Sequence, residues 1–82
     1  MIYRTETQED YNALMGELER KGYKWVGGEK PTERLSVWED EKEDTCVGFG
    51  IYGPVYYGSA NWFTGRGYKI TKYKAPKQEE QR

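Results

Sequence analysis

The residues best equipped for chemistry lie in one stretch, VYYGSANWFTGRGYKI, Val55 to Ile70. Ser59 and Asn61 offer donors and acceptors, and Arg66 offers a planar fork for a carboxylate or phosphate. Tyr56, Trp62 and Tyr68 add flat apolar faces, and stacking on such faces contributes about 1–3 kcal/mol per nucleic-acid base. With Trp38 from an earlier segment, these six residues make up the expected ligand-binding surface. Arg34 is a second candidate for holding an anion. Gly65 and Gly67 flank Arg66 and let the chain reverse tightly around it.

Catalytic groups do not accompany this surface. The chain has no histidine, so a general base would have to be Asp, Glu, Lys or Tyr with a shifted pKa. The acids concentrate in a helical segment and in EDEKED, Glu39 to Asp44, and neither resembles a buried carboxylate pair. The single cysteine, Cys46, lies on an alternating strand and reads as a small buried hydrophobe. The expectation is a protein that is not an enzyme and needs no cofactor. With no histidine and one cysteine, a zinc site of the usual ligand types is not expected either. The glycine-rich stretch lacks the lysine and spacing of a P-loop and the spacing of G-x-G-x-x-G.

The elements that position these residues are legible in part. MIYRTE reads as an opening strand. TQEDYNALMGELERKG reads as a helix from Thr7 to Lys21. Thr7 is the N-cap, Asp10 the third residue of a capping box, and Gly22 the stop. Tyr11, Leu14, Met15 and Leu18 recur on one face, which predicts a core stripe. YKWV reads as a short strand, and LSVWE as an edge strand or an irregular segment. EDEKED reads as an exposed turn. TCVGFGI alternates strictly, sending Val47, Phe49 and Ile51 one way and Cys46, Gly48 and Gly50 the other. VYYGS returns as its hairpin partner, ANWFTGRG is a loop or one helical turn, and YKITKY is the last strand. The expected fold class is α+β: one N-terminal helix on a mostly antiparallel sheet of four to five strands. Residues 1–74 are expected to form a single domain and 75–82 a polar, disordered tail.

One helix covers one sheet face. The other is expected to be a floor of Gly48, Gly50 and Gly58, because glycine within a strand often marks close approach to the backbone. Three readings stay open. Loop aromatics fold over the floor and complete a thin core; the rings of one subunit sit on the floor of another; or the floor and rings hold a planar ligand. The second reading has support from composition. Three Trp, eight Tyr and two Phe on 82 residues are more rings than so small a domain can hide, which predicts a homo-oligomer.

Net charge is −1, which disfavours nucleic acid as a partner. The charges are segregated, with acids in Glu39–Asp44 and bases from Arg66 to Lys77. The chain shows no secretory apolar run and no apolar stretch near the length that spans a bilayer. A membrane partner is not expected, and the expected location is the bacterial cytoplasm.

The helix TQEDYNALMGELERKGYKW, the following PTE, a Trp, EDT, YYGS and the closing YKITKY together resemble small accessory proteins of phages and prophages of Gram-positive bacteria. The resemblance covers residues 5 to 73. It implies a role against host immunity, in which some such proteins sequester nucleotide signals and others block a defence protein. The leading expectation is therefore a non-enzymatic binding protein that sequesters a nucleotide-like signal as a homo-oligomer. The alternative is a protein-binding inhibitor of a host defence complex, such as an anti-CRISPR. Single-stranded nucleic-acid binding is the third.

Overall fold

In the computed structural model, which describes residues 2–50 and 53–76, Thr7 opens helix α1 (Gln8–Arg20) by accepting the Asp10 N–H on its hydroxyl at 3.0 Å. That bond satisfies one of the donors every helix start leaves unpaired. The Asp10 carboxylate does not return to Thr7 as a capping box requires. It accepts the Ala75 N–H at 2.9 Å, 65 residues away in sequence, and lies 3.7 Å from Lys74 Nζ. At the other end Gly22 adopts φ +90°. Its N–H donates to the Glu19 carbonyl, and the Tyr23 N–H donates to the Leu18 carbonyl at 3.0 Å. This is a Schellman stop, which glycine enters without the steric cost of a Cβ.

Four strands form one sheet: β1 (Ile2–Thr5), β2 (Thr45–Gly48), β3 (Tyr56–Ser59) and β4 (Ile70–Tyr73), in the order β3-β2-β1-β4. The β1–β2 and β2–β3 pairs are antiparallel, and β1–β4 is parallel. A parallel pair needs a crossover. Here the chain leaves β3 at one edge, passes through helix α3 (Ala60–Gly65) and enters β4 at the other. The protein is thus a small α+β domain with a mixed sheet.

Other segments differ from expectation. YKWV contributes only an isolated bridge, Trp25 to Val55. LSVWE is helical: a 3-10 segment spans Pro31–Val37 and runs into the short helix α2 (Trp38–Glu41). Pro31 stands at its first turn, where a missing N–H costs nothing. This segment packs on α1 instead of a strand, and α1 side chains satisfy its carbonyls. The Tyr11 hydroxyl donates to Arg34 at 2.9 Å, and Gln8 Nε2 donates to Leu35 at 3.1 Å. The acidic run ends in a 3-10 turn, Lys42–Asp44.

Register fixes which residues share a face. Tyr3, Thr5, Thr45, Val47, Tyr57 and Tyr73 lie on the first face. There Val47 meets Tyr11, Leu14, Met15 and Leu18 of α1, together with Trp25, Val37 and Val55. Each fully buried side chain of this kind contributes about 1.5–3 kcal/mol. Phe49 packs against the same core, while Ile51, expected to continue the row, lies outside the described residues. Ile2, Cys46, Gly48, Tyr56, Gly58 and Ile70 lie on the second face. Gly48 and Gly58 therefore do point away from α1. Gly50 does not join them, because β2 ends at Gly48 and Gly50 is exposed beyond it. Ala75 is half-buried under the Asp10 bond, and residues 77–82 lie outside the described residues.

Candidate functional site

Helix α3 is short, and its ends are well made. Ser59 is its N-cap and accepts the Trp62 N–H on Oγ at 3.1 Å. Gly67, at φ +86°, ends it. The Gly67 N–H donates to Thr64, and the Tyr68 N–H donates to Phe63 at 3.1 Å. This repeats the Schellman stop of α1, including the apolar contact that commonly accompanies it: the Tyr68 and Phe63 rings are 5.7 Å apart, edge to face.

Phe63 is fully buried against Ile2 and Cys46. A Cβ on Gly58 would lie 3.2 Å from the Phe63 ring, and one on Gly48 would collide with the Tyr56 ring and with Ile2. The glycines therefore serve close packing of the protein's own rings. Burial pushes the Cys46 thiol up to about 11, so it is a neutral filler at physiological pH and no nucleophile.

Around Phe63 stand three rings that are partly out in solvent. Trp62 lies 4.9 Å away and Tyr56 6.1 Å away, and Tyr68 completes the set. Trp62 and Tyr68 are each 48% exposed and Tyr56 37%. The Arg66 guanidinium stacks over the Trp62 indole, 4.3 Å from its centroid, a cation–π contact within ordinary range. Arg66 makes no ion pair among the described residues. Two further bases of the C-terminal stretch are engaged: Lys72 and Lys74 meet Glu6 at 3.6 and 3.2 Å, and the Lys74 bond holds the Glu6 carboxyl below its ordinary value.

Of the residues expected to form the site, Tyr56, Trp62, Arg66 and Tyr68 are brought together. Asn61 is exposed on the same short helix. Ser59 is present, but its hydroxyl is used as a cap. Trp38 does not belong. Its Nε1 donates to the Thr5 carbonyl at 3.1 Å, and its ring packs against the α1 core, on the opposite face of the sheet. Arg34 is also on that side, 5.2 Å over the Trp25 ring.

Two cavities are outlined by described residues. One, about 630 Å³, is bordered by Lys21, Tyr23, Lys24, Trp25, Gly53 and Pro54. The other, about 210 Å³, is bordered by Trp25, Val26, Arg34, Val55, Tyr56 and Tyr57. Neither is bordered by Trp62, Arg66 or Tyr68, and the 48% exposure of the Trp62 and Tyr68 rings leaves this side of α3 open to solvent. Sequence reading passed over Trp25, Val26 and Tyr57. The strict alternation of the Tyr56-Tyr57 pair, one ring to each face, was the available signal for the last. Among the described residues no group of three or more His, Cys, Asp or Glu stands close enough to hold a metal ion, and no helix is long and apolar enough to cross a membrane.

Comparison with protein-family models, with curated proteins and with solved structures finds no match for this chain.

Proposed function

We propose that the chain is a non-enzymatic, phage-type accessory protein that docks on a host defence protein through Tyr56, Trp62, Arg66 and Tyr68. One observation carries this reading. A buried phenylalanine holds three half-exposed rings, and an arginine with no ion pair among the described residues is already stacked on the largest of them. Tryptophan, tyrosine and arginine are the residues in which interface energy concentrates. Anchoring them on a packed core lowers the entropy lost on docking.

Sequestration of a nucleotide-like signal is the second reading, favoured by the Arg66 fork, which has no ion pair among the described residues, beside exposed Asn61. It ranks lower because Arg66 occupies a face of the Trp62 indole that a base would need. The test is a phage-protection assay in bacteria carrying a defence system, with the wild type, Trp62→Ala and Arg66→Ala. Both variants are expected to melt near the wild type and to lose the anti-defence effect. Full activity in both would overturn the assignment of this surface. Nucleotides retained by the purified protein in native mass spectrometry, and lost in Arg66→Ala, would move the assignment to the second reading.

A further inference from the structure

The sheet has two outer edges, and they are built differently. β4 lies at one. It carries Lys72 and is flanked by Lys69 and Lys74, and lysines on an edge discourage pairing with another chain. β3 lies at the other, and its sequence YYGS has neither charge nor proline. The Val55 N–H donates outward to the Lys24 carbonyl at 2.9 Å. The alternation of the ladder then turns the peptide groups of Tyr57 outward too. Residues 24–26 cover the edge at Val55 through the single Trp25 bridge. From Tyr57 to Ser59 the edge has no strand partner among the described residues.

The two ends of this edge carry opposite charge. At the Val55 end, Arg34 stacks on Trp25 and borders the 210 Å³ groove with Val26, which is 78% exposed. At the Ser59 end, the opposing residue Thr45 donates its hydroxyl to the Trp38 carbonyl at 3.4 Å. That contact stands α2, with Glu39, Asp40 and Glu41, over this end of the edge. Asp40 accepts the Tyr57 hydroxyl at 3.3 Å. Neither Arg34 nor these three acids form an ion pair among the described residues.

We propose that β3 pairs antiparallel with β3 of a second copy about a two-fold axis, joining two four-stranded sheets into one. The two-fold sets the Arg34 end of each edge against the Asp40 end of the other. The occupant is a second copy because the complementary charges lie on the same edge in reversed order, which a two-fold satisfies twice. The interface leaves the α3 surface free and stands independently of its assignment.

Sedimentation of the full chain over a wide concentration range tests this, with Arg34→Glu, Asp40→Lys and an equimolar mixture of the two. The wild type is expected to dimerise, and each single reversal to weaken the dimer about tenfold or more through like-charge contacts. In the mixture the Arg34→Glu chain keeps its Asp40 and the Asp40→Lys chain keeps its Arg34. Both contacts then join opposite charges, and the mixture is expected to recover near wild-type association. Hydrogen exchange at the Tyr57 amide is expected to slow as the dimer forms. A monomer at every concentration, a dimer indifferent to both reversals, failure of the mixture to recover, or a dimer abolished by Trp62→Ala would each overturn the proposal.

Discussion

Helices α1 and α3 cover opposite faces of one sheet, and they cover them to different depths. α1 runs for 13 residues and buries Tyr11, Leu14, Met15 and Leu18 together. α3 runs for six and buries Phe63. Both stop on the same local signal, KGYK at Lys21–Lys24 and RGYK at Arg66–Lys69, with glycine at positive φ and a tyrosine following. The tyrosine after α1 turns inward to join the main core. The one after α3 stays half outside. Equal stop chemistry thus gives unequal burial, and the difference comes from what each helix has room to cover. A long amphipathic helix seals its face. A single turn and a half pins one ring on glycine and leaves the surrounding rings available for contact with another molecule.

The largest test of this contrast is Phe63→Ala against Leu14→Ala. If both faces are true core, Phe63→Ala costs about 3–5 kcal/mol and Leu14→Ala about 2–5 kcal/mol, measured by denaturant unfolding. A cost under about 1 kcal/mol for Phe63→Ala would mean that α3 is loosely held. Next comes Gly48→Ala. Its added methyl has to displace the Tyr56 ring and Ile2, so a loss of about 1–3 kcal/mol is expected. An unchanged melting temperature would show that the floor is not tightly filled.

A pH series sharpens the comparison further. The Cys46 thiol ordinarily ionises near 9.0 and is pushed up to about 11 by burial. Between those values the folded state keeps a proton that the unfolded state gives up, so stability falls as pH rises through that window. Tyr73, on the α1 face, is pushed up to about 12 by burial and by its hydrogen bond to Glu17, and its loss comes later. Melting temperature is expected to hold from neutral pH to about 8 and to decline above about 9. Cys46→Ala should remove the first part of that decline. A pH-independent melting temperature up to 11 would contradict the burial of the thiol. The smallest effect belongs to Trp62→Ala, expected to cost about 1 kcal/mol or less, because its ring is half in water and contributes one aromatic pair. A larger loss would place Trp62 in the core and remove it from the docking surface.

The long helix was readable because Thr7, the apolar stripe and Gly22 all point the same way, so local and tertiary preferences agree. The alternation of β2 was readable for the same reason, and it placed Gly48 and Gly58 on the face away from α1. The LSVWE segment was misread because Leu35 and Val37 mimic strand spacing. What decides its conformation is that Tyr11 and Gln8 of α1 accept it as a packing partner, and no local pattern encodes that. Trp38 was assigned to the wrong face because spacing along the chain does not say on which side of a sheet a connection passes. α3 was half-read: Gly65 and Gly67 looked like loop punctuation, yet Gly67 is the same helix stop that Gly22 had already displayed.

The parallel pairing of β1 with β4 has a consequence for how the chain is made. Of the four strands, the one made first is a central strand, and its partner on one side is the one made last. Asp10, in the first turn of α1, likewise waits for the Ala75 N–H. During translation β1 therefore presents bare peptide groups along one side until residues 70–75 emerge, and exposed strand edges are where nascent chains stick to one another. Closure of the sheet is a late, long-range event. A ribosome stalled before Ile70 leaves a chain with its hydrophobic helix in place and its central strand open, a substrate for chaperones and proteases and not a smaller version of the native protein.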